Sequence, residues 1–378
     1  MVYVHVPFCR SFCVYCDFYS ELACKGRDAE QLEAYLDELC AEIRSRRGET
    51  APTLAVNTLY FGGGTPSVLP PSAFERILDA LSCGSFDEFT VEVNPEDIVE
   101  KGGAYVSELL KLGVNRVSMG VQSLDDGILR WMRRRHDSAS ACRAFGILRD
   151  AGVENVSLDL IFGLPQLSRE MLSDTLDGIC RLRPEHVSAY QLSVEEESDL
   201  AAIAADGRFT EAPEELCAAQ YEMICSRLRA AGYVHYEISN WALPGREAKH
   251  NSAYWERVPY VGFGPGAHSF DGERRSWNSC ELSGWSRSGE LLTEAEAREE
   301  SIMLGLRTAR GIPASWCRPA DLRRCLADGS LAAVADVLPQ EGAVCAESAG
   351  ASPNRLPARV RIPESRWFVS DDIVSGLI

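Results

Sequence analysis

Cys9, Cys13 and Cys16, in the run HVPFCRSFCVYCDFY, bring three thiols together with a three-then-two spacing. Thiolates are soft ligands that select iron–sulfur clusters, zinc or copper. A 4Fe–4S cube normally takes four of them, and no fourth cysteine continues this spacing, so one iron would be left open. An open coordination position separates a catalytic metal site from a structural one, and it would accept a small chelating molecule directly. The alternatives on these residues alone are a zinc knuckle or three unrelated thiols. Zinc wants a fourth Cys or His at finger-like spacing, and His5 and Cys24 fit no finger pattern.

Other residues that could bind a ligand follow at intervals. In Gly62-Gly63-Gly64-Thr65-Pro66 the glycines let the backbone approach a ligand and leave N–H groups free for a carboxylate; three glycines can equally mark a tight loop. Glu92, Gln122 and Asp159 sit in apolar runs, where an unpaired charge is costly. Each alone reads as well as a hydrogen-bonded structural residue, but three on separate strands favour a shared ligand. Arg134, in the run Arg133 to Arg135, is either a contact to that ligand or part of a solvated helix face.

The elements that must position these residues alternate. Period-two runs at 2–6, 56–61, 88–93, 115–121, 155–161 and 186–192 are separated by helical stretches at 30–46, 70–82, 101–112, 138–151 and 169–182. That order predicts an α/β fold with a parallel sheet. In 115–122, Val117, Met119 and Val121 share one face while Ser118, Gly120 and Gln122 share the other. A closed eight-stranded barrel fills its interior with bulky aliphatics; these inner faces are small or charged, which predicts a lumen that holds a ligand. Residues 293–308 predict an amphipathic helix, 339–358 a loop, and the ValArgIle and TrpPheVal segments near the end two short strands.

At 378 residues the chain is long enough for about two domains of ~150 residues. The composition, 46% hydrophobic and 25% charged, is that of an ordinary globular protein. No apolar run of ~20 residues predicts a membrane span, and no basic segment leads into an apolar one at the N-terminus, so a cytoplasmic location is expected. The fourteen cysteines are scattered beyond the first three and read as small core hydrophobes in a reducing compartment. A net charge of −18 argues against a nucleic-acid substrate, since phosphate contacts need a basic surface.

The CxxxCxxC spacing after a short apolar strand resembles the radical S-adenosylmethionine (SAM) superfamily. The resemblance implies a partial (β/α)6 barrel, a 4Fe–4S cluster whose open iron is chelated by SAM, and one-electron cleavage of the SAM sulfonium. The runs YVHVPFCRSFCVYCDF, LYFGGGTPS, EVNPE, RVSMGVQS and LDLIFGLPQ sharpen it, since they look like the group containing the oxygen-independent coproporphyrinogen III oxidases and the HemW-type haem chaperones. By that resemblance Cys9, Cys13 and Cys16 are the cluster ligands, and Tyr3, Gly63, Gly64, Thr65, Glu92, Gln122, Arg134 and Asp159 fall on SAM-contacting positions. The oxidases carry a further cysteine where this chain has Phe18, and an N-terminal extension where this chain has its cluster motif. The chaperone branch has phenylalanine there and an HNxxYW motif, present as His250 to Trp255. His250, read in a loop, is then a candidate axial ligand to haem, with His268 in Gly262 to Ser269 as a lesser one; Gly264 and Gly266 there suit a tight turn. The expected layout is a barrel over 1–200, an extension over 201–285 with both motifs, and a C-terminal winged-helix-like α+β domain over 286–378. Expected partners are acceptor haemoproteins and an electron donor, with a homodimer and SAM cleavage left open, and coproporphyrinogen III oxidation as the alternative activity.

Replacing Cys13 by Ala should abolish iron–sulfur absorbance after anaerobic reconstitution while far-UV circular dichroism stays unchanged, because ligands on a loop outside the core are not needed to fold it. Stoichiometric zinc without iron in the parent would contradict the cluster reading.

Overall fold

The computed structural model describes residues 1–22, 28–50, 56–334 and 357–378. Strands buried along most of their length build its central sheet. The strands β1 (Val2–Val6), β2 (Thr58–Gly63), β3 (Glu88–Val93), β4 (Arg116–Gln122), β5 (Val156–Phe162) and β6 (His186–Gln191) pair in sequence order, each parallel to the next. Between them lie α1 (Asp28–Ser45), α2 (Pro71–Leu81), α3 (Pro95–Lys111), α4 (Asp126–Trp131), α5 (Ser138–Asp150) and α6 (Arg169–Leu182). Beyond β6 the chain continues through α7 (Asp199–Ala205) and α8 (Glu214–Ala230) to β7 (Asn240–Ala242), which runs antiparallel to β6. After α9 (Lys249–Trp255), β8 (Val261–Phe263) joins the far side of β1 in parallel. The order β8-β1-β2-β3-β4-β5-β6-β7 leaves the sheet open instead of closing it, as a partial barrel requires.

Odd and even positions divide the labour. Phe61, Phe89, Val91, Val117, Met119 and Leu158 are buried, and the rings of Phe61 and Phe74 of α2 pack at a tilt with centroids 5.0 Å apart. Tyr60, Glu92, Ser118, Asp159 and Ser188 point to the other face and line a common cavity.

All six expected strands appear, with their ends displaced by no more than two residues. The third helix starts earlier than periodicity indicated. Pro95 occupies its first turn, where a missing N–H costs nothing, and Gly102 at φ 69° interrupts the helical pattern so that only the later half reads as periodic.

The chain divides into two compact units, Met1–Val234 with Ser239–Leu291, and His235–Ile238 with Leu292–Ile378. Residues 1–200 and 201–285 therefore fall almost entirely in one unit, which also holds the antiparallel strands β9 (His268–Phe270), β10 (Arg274–Asn278) and β11 (Arg287–Leu291). The second unit is α+β. It contains α10 (Glu294–Leu306), opened by a Thr293/Glu296 capping box, then α11 (Pro319–Ala327) and α12 (Ser370–Ser375). Its sheet sets β14 (Arg359–Arg361) between β12 (Ile312–Pro313) and β13 (Ala332–Ala333), antiparallel to both. The expected second terminal strand is instead a 3-10 helix over Glu364–Val369: Pro363 sets up the turn, Arg366 N–H bonds the Pro363 carbonyl at 2.8 Å, and Trp367 is buried. Most of the expected loop over 339–358 lies outside the described residues.

Gly264, where the chain leaves β8, has φ +91°, and a Cβ there would stand 2.7 Å from the His5 carbonyl. Its N–H bonds Glu42 at 2.9 Å, and its carbonyl accepts from Asn278 at 2.8 Å. Gly264→Ala should lower stability to urea by roughly 1–3 kcal/mol, a change within 0.5 kcal/mol contradicting the requirement for glycine.

Candidate functional site

The cysteine loop starts where β1 ends, and its backbone is pinned from two sides. Val14 N–H bonds the carbonyl of Met132 at 3.2 Å, and the Val14 carbonyl accepts from Leu200 N–H at 2.8 Å. Between these ties Cys9, Cys13 and Cys16 all face a cavity of about 600 Å³. The loop after β2 rises beside them: Cys9 Sγ lies 3.4 Å from Thr65 Oγ1, and Gly64 N–H bonds the Val6 carbonyl at 2.9 Å. A Cβ on Gly64 would lie 2.8 Å from the Phe8 carbonyl and 3.1 Å from Cys9 Sγ, and one on Gly63, at φ +109°, would strike the His5 ring at 2.6 Å. Close approach of β2 to β1 at Gly63, and of the loop after β2 to the cysteine loop at Gly64, is thus what excludes side chains there.

The ends of β3, β4 and β5 supply the polar floor. Glu92 Oε1 accepts from Tyr60 Oη at 2.7 Å. Asp159 accepts from Ser118 Oγ at 3.2 Å. Gln122 reaches the cavity through an irregularity: the β4–β5 register shifts between Gly120 and Gln122, and Gln122 adopts φ 64°. Such bulges re-aim a side chain beside a site. Gly120 makes room, since a Cβ there would lie 2.9 Å from the Gln122 amide and 3.3 Å from Arg134 Nη2. Arg134 is no solvated helix residue. Its guanidinium donates to Asn94 Oδ1 and to the Gly120 carbonyl at 2.7 Å each and lies 3.4 Å from Cys13 Sγ.

Burial sets the charge state. It pushes Glu92 up to about 7, Asp159 adding to the rise while the Tyr60 hydroxyl, the Gly63 N–H and Arg116 oppose it. Burial also raises Asp159, against the hydroxyls of Ser188, Ser118 and Ser157 and the charge of Arg116. The Cys16 thiol goes up to about 12 and Cys9 also rises, again by burial. Coordination by a metal would make thiolates of them outright.

Three sulfurs on one wall, with no fourth thiol and no imidazole among the described lining residues, fit a cluster with one open iron. Buried carboxylates at Glu92 and Asp159 on the same cavity fit a ligand that carries hydrogen-bond donors such as amino and hydroxyl groups. Gly63, Gly64, Thr65, Glu92, Gln122, Arg134 and Asp159 therefore come together with the cysteines. Tyr3 does not line the cavity; it lies behind Tyr60, ring centroids 6.1 Å apart, with its hydroxyl 3.2 Å from His5 Nδ1. His250 is in α9, not in a loop, and only its neighbour Asn251 reaches the cavity. His250 is 1% exposed, with Nδ1 2.8 Å from Thr58 Oγ1 and Nε2 3.0 Å from Tyr254 Oη. His268 stacks against Trp277 at 6.1 Å.

Sequence reasoning passed over Tyr60, Asn94 and Arg116. For Arg116 the signal was available, since an arginine in the apolar run RVSMGVQ carries the same burial argument that singled out Glu92 and Asp159. Tyr60 and Asn94 lay inside quoted motifs but gave no sign of their partners.

The chain matches the Radical SAM superfamily over residues 3–179. It is 34% identical over 327 residues to the heme chaperone HemW of Bacillus subtilis, spanning 82% of this chain and 84% of that one. To the heme chaperone HemW of Mycobacterium tuberculosis it is 33% identical over 350 residues, spanning 87% and 88%. The coproporphyrinogen III oxidase HemN of Escherichia coli superposes with a TM-score of 0.77 over 99% of this chain and 89% of that one; at 20% identity this is a likeness of fold.

A carboxyl whose pKa rises on folding holds its proton more tightly in the folded chain. The stability that Glu92 contributes is then complete below its ordinary 4.5 and is lost as pH rises to about 7. Glu92→Gln should remove this loss, so that between pH 5 and 8 the metal-free variant gains roughly 2–3 kcal/mol on the parent in urea unfolding. Parallel pH profiles for the two would contradict the assignment.

Proposed function

From its place in the HemW family of radical SAM proteins, to which the chain belongs, we propose that it binds a 4Fe–4S cluster, SAM and haem in the cytoplasm and hands haem to acceptor haemoproteins. The observation that carries the reading is the convergence of Cys9, Cys13 and Cys16 with Glu92 and Asp159 on one cavity. Bound there, the cluster supplies one-electron chemistry and an open iron for a chelating ligand. The chain's own groups do the rest. Gly63 and Gly64 leave the room that a side chain would fill beside the cysteine loop, Thr65 stands beside Cys9, and Arg134 sets a fixed positive charge against Cys13. Glu92 and Asp159 would accept hydrogen bonds from donor groups of SAM, and Gln122, carried to the cavity by the bulge, would add an amide to the same ligand. A reducing partner would be required if SAM is cleaved.

For the haem, support comes from the names of the relatives and from the cavity's mouth. Phe12, Phe18 and Tyr190 all line it and are 45%, 67% and 42% exposed, offering aromatic surface to a flat apolar macrocycle. Phe18 is also the position at which the oxidases carry cysteine. Membrane attachment by a spanning helix has no support, as no described helix is long and apolar enough to cross a bilayer.

Cluster-loaded protein given SAM, a reductant and coproporphyrinogen III should yield no protoporphyrinogen IX, yet should bind haem with a Soret band and pass it to an apo-haemoprotein. Decarboxylation over multiple turnovers would overturn the chaperone reading in favour of the oxidase.

A further inference from the structure

His250 is built into the support of the cavity floor. Thr58 and Tyr60 are two residues apart on β2 and so share its inner face. Thr58 Oγ1 holds Nδ1 of His250 at 2.8 Å, and Tyr254, one turn along α9, holds Nε2 at 3.0 Å. With both edges of the imidazole fixed, its face meets Tyr60: the ring centroids are 5.0 Å apart and the planes inclined by 31°. Tyr60 in turn gives its hydroxyl proton to Glu92 at 2.7 Å. The neighbouring strand grips the same helix from below. Both oxygens of Glu88 on β3 accept backbone N–H bonds, from Lys249 at 2.8 Å and from His250 at 2.9 Å. The imidazole is thus held by β2 and α9 and its backbone by β3, and the ring packs on a tyrosine that orients a cavity carboxylate.

This arrangement does not suit an axial iron ligand. Ligation needs a free nitrogen lone pair directed at an open space, whereas both nitrogens here are engaged and the side chain is buried. Burial holds the ring neutral, its pKa lowered to about 3 with the positive charges of the N-terminus and Arg116 contributing, so its packing on Tyr60 persists across the working pH range.

We propose that His250 is a positioning residue for SAM: through the ring of Tyr60 it fixes the hydroxyl that orients Glu92. The inference rests on the reading that Glu92 contacts SAM. Side chains in contact that act through a shared partner act non-additively, which gives the test. SAM is titrated anaerobically into cluster-loaded parent, Glu92→Gln, Tyr60→Phe, His250→Ala, His250→Asn and the double variant Tyr60→Phe/His250→Ala. Glu92→Gln should weaken SAM binding most. Tyr60→Phe and His250→Ala should each weaken it roughly tenfold, and the double variant no more than Tyr60→Phe alone. His250→Asn, too short to span both hydroxyls, should behave as His250→Ala does and serves in its place if that variant does not fold.

A second readout separates positioning from general loosening. Tyr3, Tyr60, Asp159 and Arg116 are the charged or titratable groups around Glu92. Of these, Tyr60 packs its ring directly on His250. The pH midpoint below which SAM affinity falls should therefore rise in His250→Ala, and it should not rise further in the double variant. Additive losses in the double variant, or parent-like SAM affinity in both His250 variants while Glu92→Gln is weakened, would overturn the inference. So would an altered Soret band in His250→Ala with SAM affinity unchanged. An unchanged affinity in Glu92→Gln would instead remove the reading beneath the inference, and the inference with it.

Discussion

Three thiols on a loop pinned at Val14 would leave a four-iron cluster one ligand short, and the cavity's polar groups gather on the same space as those thiols. A parallel sheet collects the carboxyl ends of its strands along one edge. Groups that are far apart in sequence, such as Thr65, Glu92, Gln122 and Asp159, therefore meet opposite Cys9, Cys13 and Cys16. The two interior carboxylates are expensive to bury, and the fold meets part of that cost with the Tyr60 and serine hydroxyls and the nearby Arg116.

The same economy explains where glycine is required. Gly63 lies where β2 meets β1, Gly64 where the loop after β2 meets the cysteine loop, and Gly120 where Arg134 passes beneath Gln122. In each case the limiting factor is the room for a Cβ. Arg134 is the clearest case of one side chain serving several elements, since it bonds Asn94 after β3 and Gly120 within β4 while facing Cys13 on the first loop.

The sheet was legible because its strands alternate strictly, and the cysteines because their spacing has few other uses. Polar residues in otherwise apolar strands marked Glu92, Gln122 and Asp159, and the parity of β4 put Gln122 on the correct face although a bulge, invisible to parity, delivers it. Partners were less accessible. Nothing local in LYFGGGTPS says that Tyr60 will bond Glu92, because that contact depends on the β2–β3 register. The histidine of HNSAYW was recognisable as special, but its bond to Thr58 exists only once α9 is docked on β2. The terminal TrpPheVal segment has strand composition, yet the proline before it and the burial of Trp367 turn it into a helical turn.

The account stands most directly on the open iron. Mössbauer spectra of the anaerobically reconstituted chain, recorded with and without SAM, would distinguish the cluster's iron sites. The account predicts a four-iron cluster in which one iron alone changes its isomer shift when SAM is added. A cluster whose irons are all indifferent to SAM, or a chain that retains no iron on its three cysteines, would contradict it.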